Sequence, residues 1–382
     1  MDRKIIGFDG KRAAGNRSGL GNYSRYVIGL LMRYAPGNEY VVYVPDGRKR
    51  GYLGELGEEG YSVAAPRTVV GRWLRALWRT VGIVVELRRR GVDLYHGLSN
   101  ELPLGIRRAG CLSVVTVHDV IFLHCPEYYK PVDRWIYKLK MRYACRVADC
   151  VVTVSEFSRG ELVRYLHVDP GKIKVVYQGI TMNFGAVGAD DVARVRGEYG
   201  LPERYVLYVG TVEERKNLLL VARAMVLLKG EGRLPEGMRV VAAGRRTRYA
   251  EVVEGCLAAA GLGDRLQVVE GVPMGDLAAF YRGADFFVYP SRIEGFGIPM
   301  LEAAAAGLPA VGCTGSSLEE AGGEGAFYVE PDDVAGMAEV LLRLWNDADL
   351  RKERSAMGRA HAERFSDRRL FDDLTAVYEG LI

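Results

Sequence analysis

The sequence from position 285 to position 302 reads Asp285-Phe-Phe-Val-Tyr-Pro-Ser-Arg-Ile-Glu-Gly-Phe-Gly-Ile-Pro-Met-Leu-Glu302. It opens with a short apolar and aromatic run, which is typical of a buried parallel strand. Further along, Pro299 suits the first position of a helix, and Gly307 suits the left-handed residue that follows one. The stretch therefore predicts a strand, a glycine loop and a short helix in succession.

The predicted loop carries glycine at positions 295 and 297. A glycine loop before a helix exposes unpaired backbone N–H groups beside the positive end of the helix, and this arrangement suits a diphosphate. Two carboxylates frame the loop, Glu294 before it and Glu302 on the helix. An anion site between acids is expected where the ligand also offers hydroxyl groups or developing positive charge. A sugar nucleotide has both.

The wider pattern P-S-x-x-E-G-F-G-x-P-x-L-E-A-x-A-x-G-x-P covers residues 290–309. It resembles the donor-site signature of the retaining glycosyltransferases of family 4, which have the GT-B fold. The resemblance implies that Glu302 hydrogen-bonds the ribose hydroxyls. It also implies that Glu294 contacts the sugar and supports an oxocarbenium-like transition state, either as a transient nucleophile or beside a same-face displacement. The other donor-binding candidates in this signature are Phe296, Gly297 and Ile298.

The composition describes a globular protein with room for two domains. The chain has 382 residues, of which 49% are hydrophobic and 26% are charged. No apolar run approaches the ~18 residues that a membrane-spanning helix needs, and the N-terminus has no signal-peptide core, so we expect a cytoplasmic location. The six cysteines form no Cys-x-x-Cys pair and have no histidine cluster beside them, so the sequence predicts neither a metal site nor a disulfide framework.

Basic and acidic residues are distributed unevenly along the chain. Residues 1–180 contain 29 lysines and arginines against 17 aspartates and glutamates, whereas the remainder contains 23 against 31. The formal net charge of +4 therefore combines a basic first half with an acidic second half. A basic half indicates an anionic partner for that part of the chain. We expect no nucleic acid among the partners.

A second glycine loop follows the first predicted strand, 4–8. The residues Gly15-Asn-Arg-Ser-Gly-Leu-Gly-Asn-Tyr23 separate this strand from an amphipathic helix predicted for 23–34. Strand, glycine loop and helix together are the setting of a phosphate-binding loop, although the dinucleotide fingerprint is absent. In family 4 the corresponding S-G-[IL]-G-x-Y loop faces the donor diphosphate and the acceptor, which implies that role for Gly19 and Gly21. A tight turn without a ligand is the alternative.

The segment from 69 to 90 has two interpretations. Its apolar residues fall on one face of a predicted helix, beside a basic stripe. They are Trp73, Leu74, Leu77, Trp78 and Val81, and the basic residues are Arg72, Arg75 and Arg79. Such a helix can lie in an anionic membrane interface, or it can pack its tryptophans on the sheet and leave its arginines in solvent. A second basic amphipathic helix is predicted from Trp135 to Ala148.

Two predicted strands, 92–96 and 113–118, end in histidine. Ligands bind outside the carboxyl ends of strands in open α/β sheets, so both histidines are site candidates. Val117-His118-Asp119 resembles the His-Asp pair on the acceptor side of the family's site, where the histidine reaches the transferred sugar. His96 lies in a segment that also resembles the family. A histidine satisfied within the core is the alternative for each.

The second half of the chain begins with Tyr205-Val-Leu-Tyr-Val-Gly-Thr-Val-Glu-Glu-Arg-Lys-Asn-Leu218, again a strand, a turn and a helix. Gly210 lets the backbone approach a ligand. Arg215 and Lys216 place two cations where a helix begins, and because they oppose the helix dipole, an anion is expected beside them. Arginine suits a diphosphate as a bidentate fork and lysine as a point charge. The segment resembles G-T-x-E-x-R-K-N, the pyrophosphate clamp of the family, which implies charge stabilisation without a metal.

Two further segments resemble parts of the family pattern. Gly271-Val-Pro273 matches the turn in which backbone groups contact the nucleobase, so Val272 is a candidate there. The segment 314–321 departs from the commoner S-x-L-P-E, because Glu319 stands where proline is expected. The shape of that loop is therefore not implied by the resemblance.

Strands alternate with helices in both halves, which predicts an α/β protein. With the resemblance, we expect a GT-B fold of two Rossmann-like parallel-sheet domains facing each other across a cleft. The expected domains are an acceptor-side domain at 1–182 and a nucleotide-sugar-binding domain at 183–364. A helix at 365–382 is expected to cross back to the first domain.

The resemblance implies a retaining glycosyltransferase that moves a hexose from a nucleotide sugar to a glycan or a lipid-linked acceptor. No cofactor is expected beyond the GDP- or UDP-linked donor. Segments 210–217 and 316–331 look most like mannosyltransferases, which favours GDP-mannose. With a lipid-linked acceptor, peripheral contact with the inner face of an anionic membrane is expected.

Three other functions stay open at this point. A GT-B epimerase that hydrolyses its nucleotide sugar would share the site. A non-catalytic nucleotide-sugar-binding protein would be unaffected by loss of Glu294. A phosphorylase would need a lysine that holds pyridoxal phosphate, and no segment of the sequence supports one.

Overall fold

The computed structural model of the protein describes residues 3–16, 19–48, 51–57, 59–66 and 77–382. The chain forms two compact units. The first unit combines Met1–Thr181 with Asp367–Ile382, and the second is Met182–Ser366. Each unit is built on one parallel sheet with helices between its strands. The predicted α/β class with two Rossmann-like sheets is therefore confirmed.

The first unit contains a seven-stranded sheet in the order β3-β2-β1-β4-β5-β6-β7. The strands are β1 Ile5–Asp9, β2 Glu39–Tyr43, β3 Tyr61–Ala64, β4 Leu94–Gly97, β5 Leu112–Val117, β6 Cys150–Thr153 and β7 Ile173–Val175. Phe8 of β1 lies opposite Val42 of β2 on one side and His96 of β4 on the other, both in parallel register. Val41 and Val42 point to opposite faces and are both fully buried, as expected for a parallel sheet covered on both sides.

The helices of the first unit are Lys11–Gly15, Gly19–Tyr34, Ile83–Arg90, Ile121–His124, Pro131–Val147, Glu156–Leu166 and Asp367–Glu379. The helix Ile83–Arg90 continues from a π-helical turn, Trp78–Gly82, and ends at Gly91, whose φ of 63° is left-handed. Ser155 caps the helix Glu156–Leu166 because its hydroxyl accepts a hydrogen bond of 2.9 Å from the backbone N–H of Ser158.

The second unit contains a six-stranded sheet in the order β10-β9-β8-β11-β12-β13. The strands are β8 Val206–Val209, β9 Val240–Ala243, β10 Leu266–Val269, β11 Phe286–Tyr289, β12 Ala310–Cys313 and β13 Phe327–Val329. Its helices are Ala189–Tyr199, Leu218–Gly230, Arg248–Ala259, Met274–Gly283, Ile298–Ala306, Leu318–Gly322, Val334–Asn346 and Ala348–Ala362.

The strand order of the second sheet reverses between β8 and β11. From β8 the chain adds β9 and β10 outward on one side, then returns to place β11 against the other side of β8. The loops that follow β8 and β11 consequently leave the sheet side by side. In open α/β sheets this reversal at the carboxyl ends is where ligands bind. The strand order therefore indicates the loops after β8 and β11 as the candidate ligand site.

The structure corrects two predictions in the first unit. The helix predicted from Tyr23 begins at Gly19, so Gly19 and Gly21 lie in its first turn and not in a loop. Residues 47–62 are rich in glycine and charge, a composition that predicts a mobile surface loop, but they contain a 3₁₀ turn at Leu53–Leu56 and the start of β3. Pairing with β2 stabilises β3 although its flanks are rich in glycine and charge, because tertiary context overrides local composition.

The segment 69–90 is described only from residue 77, so Trp73, Leu74, Arg72 and Arg75 lie outside the described residues. Trp78 is partly buried and packs against the core of the first unit. Leu77 and Val81 are 55% and 45% exposed. The described part of this segment thus divides its apolar side chains between the core and the solvent.

Candidate active site

Two cations and one carboxylate meet at the carboxyl ends of β8 and β11. Nζ of Lys216, in the loop after β8, lies 2.5 Å from Oε1 of Glu294, in the loop after β11. Nη1 of Arg215 lies 3.1 Å from the same oxygen. Only 13%, 17% and 11% of the Lys216, Arg215 and Glu294 side chains remain exposed. The structure therefore assembles three of the predicted catalytic residues in one largely desolvated cluster.

Glycine and asparagine shape the loop that carries the two cations. Gly210 directly follows β8 with a φ of 142°, in the region that favours glycine. A Cβ on Gly244, at the end of β9, would lie 1.9 Å from the carbonyl oxygen of Gly210, so the two backbones touch there. Asn217 has a left-handed φ of 57°, and its side-chain N–H donates to the carbonyl of Pro331 at 2.8 Å. These contacts hold the turn Glu214–Lys216 in place.

The loop after β11 has the predicted strand–loop–helix form. Gly297, with a φ of 101°, precedes the helix Ile298–Ala306, which has proline in its first turn and ends at the left-handed Gly307. Ser291 Oγ donates to Oε1 of Glu294 at 2.6 Å. Ser317 Oγ donates to the backbone carbonyl of Glu294 at 2.9 Å. Neither serine was predicted as a site residue from the sequence, although Ser291 stands in the quoted P-S-x-x-E pattern.

The cations keep Glu294 ionised. Burial by itself raises the pKa of Glu294, but the charges of Lys216 and Arg215, with hydrogen bonds from Lys216 and Ser291, hold it at about 2. Burial lowers the pKa of Lys216, and Glu294 opposes that shift. Burial also disfavours the charged Arg215, yet Glu294 raises its pKa overall. The cluster therefore presents cations that are already stripped of most water, where an added anion interacts strongly.

Two more side chains complete the surroundings of the cations. Nζ of Lys216 hydrogen-bonds the hydroxyl of Tyr289 and lies 4.8 Å from the centroid of that ring. Nη2 of Arg215 lies 2.9 Å from Oε1 of Glu213. Tyr289 was not predicted as a site residue from the sequence; it is the last residue of β11 and faces the loop of the neighbouring strand.

Glu302 is in a different electrostatic state from Glu294. It lies on the helix Ile298–Ala306 and is 7% exposed, and Tyr281 donates its hydroxyl to Oε2 at 2.8 Å. Burial raises the pKa of Glu302 to about 7, against the opposing effect of the Tyr281 hydrogen bond. The pKa of Glu294 is therefore lowered and that of Glu302 is raised, and such opposite shifts are typical of functional sites.

The other predicted donor residues occupy varied positions. The Phe296 side chain is 3% exposed and packs on Phe365 at a centroid distance of 5.6 Å, so its ring belongs to the core. Ile298 is partly buried at the start of its helix, and Val272 is partly buried in the turn after β10. Their contacts with a donor stay a prediction.

In the first unit, His118 follows β5 and is 6% exposed. Its Nε2 lies 3.0 Å from the carbonyl oxygen of Leu98 and so donates to it. Its Nδ1 lies 3.1 Å from Nε2 of Gln178 and so accepts from that amide. Burial lowers the pKa of His118 to about 4, although the bond to Leu98 acts in the opposite direction. His118 is therefore a neutral imidazole whose tautomer is set by its two neighbours.

His96 belongs to the core. It is fully buried, with Nδ1 at 2.6 Å from the hydroxyl of Tyr378 and Nε2 at 2.8 Å from Oγ1 of Thr116. Burial, followed by the charge of His118, lowers the pKa of His96 to about 3. Since Tyr378 lies on the helix Asp367–Glu379, His96 ties this last helix to the first sheet. The core interpretation of His96 is the one that the structure supports.

Gly21 has a structural reason to be glycine. A Cβ at this position would lie 1.9 Å from the carbonyl oxygen of Asn16. The first turn of the helix Gly19–Tyr34 therefore packs so closely against Asn16 that it leaves no room for a side chain at position 21. The role predicted for Gly19 and Gly21 in ligand binding stays a prediction.

Among the described residues, no group of three or more His, Cys, Asp or Glu is arranged to hold a metal ion. In the same part of the chain, every helix is too short or too polar to cross a bilayer.

Family models match both halves of the chain. A model described as "Glycosyltransferase Family 4" matches residues 18–184, and one described as "Glycosyl transferases group 1" matches residues 203–347. The second match includes the cluster of Arg215, Lys216 and Glu294.

Curated relatives include two bacterial enzymes. "O-antigen chain mannosyltransferase B" of Escherichia coli is 32% identical over 275 residues, which cover 72% of this chain and 70% of that protein. "D-inositol 3-phosphate glycosyltransferase" of Segniliparus rotundus is 33% identical over 248 residues, which cover 62% of this chain but only 53% of that protein. Among solved structures, Anabaena HepE in complex with UDP superposes with a TM-score of 0.76 over 99% of this chain at 16% identity. At that identity the likeness concerns the fold.

Proposed function

This chain belongs to the family 4 glycosyltransferases of group 1, and from that premise we propose that it is a retaining, metal-independent hexosyltransferase. The observation that supports the proposal most directly is the buried cluster of Arg215, Lys216 and Glu294 where the second sheet reverses its strand order. A site with two desolvated cations and an ionised carboxylate suits a donor that combines a diphosphate with a sugar that becomes positive during transfer.

Arg215 and Lys216 would bind the donor diphosphate. As the glycosidic bond breaks, negative charge accumulates on the departing nucleoside diphosphate, and two fixed cations stabilise it without a metal ion. Because Tyr289, Ser291 and Glu213 already hold the cluster through hydrogen bonds and ion pairs, little reorganisation is needed at the moment of reaction. Asn217 supports the same turn from its other end.

We assign Glu294 a stabilising role and not a covalent one. Its Oε1 accepts from Ser291, Lys216 and Arg215, and against the effect of burial the cations hold the pKa of the carboxyl at about 2. Both of its oxygens are therefore weakly basic, which makes the carboxylate a weak nucleophile. The negative charge that remains is suited to an oxocarbenium-like sugar. This favours a same-face displacement, in which the acceptor oxygen bonds to the anomeric carbon as the diphosphate leaves and the diphosphate oxygen takes the acceptor's proton.

The remaining predicted residues receive roles within the same proposal. Glu302 would accept hydrogen bonds from the ribose hydroxyls, and the backbone at Val272 would contact the nucleobase. His118 would contact the transferred sugar. A neutral imidazole suits this contact, because it binds a hydroxyl without adding a positive charge beside the developing oxocarbenium ion.

For the donor we propose GDP-mannose, and for the acceptor a glycan or a lipid-linked glycan. The similarity to the mannosyltransferase of Escherichia coli supports mannose. The fold is shared with HepE, which binds UDP, so a UDP-linked hexose is the alternative donor.

A donor screen tests the proposal. GDP-mannose at 100 times its dissociation constant should stabilise the protein by about 2.7 kcal/mol, whereas a non-binding UDP or ADP sugar should leave the melting temperature unchanged.

Product analysis then distinguishes the transferase from the epimerase and from the non-catalytic protein. A transferase forms product only when acceptor is added, with the anomeric configuration of the donor retained in the NMR spectrum. Release of free or epimerised sugar in the absence of acceptor would support the hydrolysing epimerase instead. Donor binding without any product would support the non-catalytic protein.

A further inference from the structure

The helix Pro131–Val147 exposes its apolar residues to solvent. Val132, Trp135, Ile136 and Leu139 are 68%, 65%, 36% and 47% exposed. An amphipathic helix on a globular unit ordinarily turns such residues toward the core. Here the core is contacted by a different set, Met141, Ala144 and Cys145, which are buried. The apolar stripe of this helix is therefore not accounted for by folding of the first unit.

The spacing of these residues makes them one continuous stripe. They stand at positions i, i+3, i+4 and i+7, which at 3.6 residues per turn fall within an arc of roughly 100°. The buried set, Met141 with Ala144 and Cys145, lies on the opposite side of the helix by the same count. The stripe thus points directly away from the core of the unit.

A second exposed apolar stripe lies on a neighbouring segment. Leu77, Val81 and Val85, spaced by one helical turn, are 55%, 45% and 71% exposed. Glu101 connects the two segments, since its carboxylate lies 2.5 Å from Nη1 of Arg79 and 3.2 Å from Nζ of Lys140. By the helical count Arg79 lies on the side of its segment opposite Leu77, Val81 and Val85, so the Glu101 contacts do not join the two stripes. We therefore use the term apolar surface for the stripe on the helix Pro131–Val147 alone, formed by Val132, Trp135, Ile136 and Leu139.

Basic residues border this surface on the helix Pro131–Val147. Arg142 is exposed and Lys138 is partly exposed, and in the described part of the chain neither makes an ion pair with an acidic side chain. On the helical count Lys138 and Arg142 flank the stripe on one side. Lys140, which pairs with Glu101, and the exposed Asp133 lie on the other side. The two unpaired cations therefore give the stripe a positive border on one side, in keeping with the basic character of the first half of the chain.

We propose that the apolar surface docks this protein on an anionic membrane, with its aliphatic side chains and Trp135 inserted at the headgroup boundary and Lys138 and Arg142 at the lipid phosphates. Tryptophan is enriched at such boundaries, and long basic side chains extend from apolar surface to the charged headgroups. Each basic residue near an anionic leaflet adds to the attraction. This inference adds a membrane contact to the proposed transfer to a lipid-linked acceptor. Its biological purpose rests on that acceptor, whereas the membrane contact itself does not.

A second copy of this chain is a poorer occupant of the surface. A symmetric dimer formed through the helix Pro131–Val147 would bring the same patch of each copy together. The bordering cations of the two copies would then face one another, and like charges across an interface are unfavourable. An anionic lipid surface instead complements both the apolar and the basic residues.

Vesicle co-sedimentation of the full chain, without donor or acceptor, tests the proposal. Vesicles of phosphatidylcholine with about one third phosphatidylglycerol should bind the protein at least about tenfold more strongly than phosphatidylcholine alone, and salt should weaken the binding. The double variant Val132→Ser with Trp135→Ser should lose at least about tenfold in partitioning. The charge variant Lys138→Glu with Arg142→Glu should lose binding to the anionic vesicles by a similar factor.

Matched controls come from the second unit. Val252→Ser changes a valine that is 53% exposed on the helix Arg248–Ala259, and Arg282→Glu with Lys352→Glu changes two exposed cations. Both controls should bind vesicles as the unaltered protein does. All variants change exposed or partly exposed side chains, so their melting temperatures should stay close to that of the unaltered protein.

Three results would overturn the proposal: no preference for anionic vesicles, unchanged binding of both docking variants, or dissociation of a dimer by the Trp135 variant in sedimentation velocity. The last result would identify a second copy as the occupant. Transfer to a soluble acceptor is measured separately. If vesicle binding fails while transfer persists, only the docking surface is wrong, and if transfer fails while vesicle binding persists, only the catalytic proposal is wrong.

Discussion

The side-chain amide of Gln178 donates to His118, with Nε2 of Gln178 at 3.1 Å from Nδ1 of the histidine. On the other side of the ring, Nε2 of His118 donates to the carbonyl of Leu98 at 3.0 Å. Gln178 lies three positions before Thr181, where the main segment of the first unit ends. The proposed sugar-contacting histidine is therefore oriented by a residue close to the boundary between the units.

Replacing Gln178 with glutamate should raise the pKa of His118 from about 4. A carboxylate beside Nδ1 accepts a hydrogen bond and favours the protonated ring, whereas the amide of Gln178 donates to it. Nitrogen NMR of the histidine ring as a function of pH measures the change. Gln178→Leu is the matched control, since it removes the donor without adding a charge and should leave the ring neutral at pH 6. A His118 pKa that does not move in the glutamate variant would refute this account of the hydrogen bond.

Glu294→Gln should lower kcat by roughly a hundredfold to ten-thousandfold, because the charge that supports the oxocarbenium-like sugar is lost. Binding of the nucleoside diphosphate should be kept or strengthened, since Lys216 and Arg215 no longer share their charge with a carboxylate. Steady-state rates and calorimetric titration with GDP measure the two effects. Glu213, whose side chain is 38% exposed, is the other carboxylate that pairs with Arg215. Glu213→Gln should therefore have a much smaller effect on kcat. Equal losses in both variants would argue against a special role for Glu294.

Lys216→Met should weaken GDP binding by about tenfold to a hundredfold, equivalent to about 1.4–2.7 kcal/mol, because a desolvated point charge at the diphosphate is removed. The methionine keeps most of the side-chain volume, so the packing over Tyr289 is largely retained. Lys229→Met is the control, since Lys229 is exposed on the helix Leu218–Gly230 and should not affect binding. Isothermal titration of both variants with GDP gives the comparison. Unchanged affinity in Lys216→Met would remove this lysine from the site.

Glu302 should make the protein less stable as the pH rises from about 4.5 to about 7. Its pKa is raised from 4.5 to about 7 in the folded protein. In this window the unfolded chain has already released the proton that the folded chain still binds, so the free energy of unfolding falls with increasing pH. The fall is on the order of 3 kcal/mol for this group, since one pKa unit corresponds to about 1.4 kcal/mol.

Urea unfolding at pH 5 and pH 8 measures this dependence. Glu302→Gln should abolish the contribution, whereas Glu251→Gln, an exposed change on the helix Arg248–Ala259, should retain it. If Glu302 hydrogen-bonds the ribose hydroxyls, the bound nucleotide favours the ionised carboxylate. Donor binding near pH 6 should then release a proton, which calorimetry in buffers of different ionisation enthalpy detects. A pH slope that survives in Glu302→Gln would contradict the assignment.

Gly244→Ala should destabilise the second unit by more than about 1 kcal/mol, since the new methyl group would lie 1.9 Å from the carbonyl oxygen of Gly210 and force the cation-bearing loop to move. Nucleotide affinity should fall in the same variant. Gly255→Ala is the control: its Cβ meets no atom within 4 Å in the helix Arg248–Ala259, and it should stabilise by about 0.5–1 kcal/mol. Urea unfolding of the two variants should therefore shift in opposite directions.

The sequence by itself determined the alternation of strands and helices and the local form of the loops. Gly297, Pro299 and Gly307 predicted the loop and both ends of the helix Ile298–Ala306, because capping depends on residues that are neighbours in the chain. The residue types of the clamp, Arg215 and Lys216, were equally visible. The same local signals failed at Gly19, where the helix begins early, and in β3, whose strand form depends on its pairing with β2.

Only the tertiary structure decided which residues meet. Lys216 and Glu294 are 78 positions apart and touch because β8 and β11 are neighbours in the sheet, and strand order is not encoded in periodicity. The same holds for Ser291 and Tyr289, which acquire their partners through that adjacency. Which side of the helix Pro131–Val147 faces the core was also decided by packing. Its apolar stripe and its buried face have the same helical period, and only the burial of Met141, Ala144 and Cys145 distinguishes them.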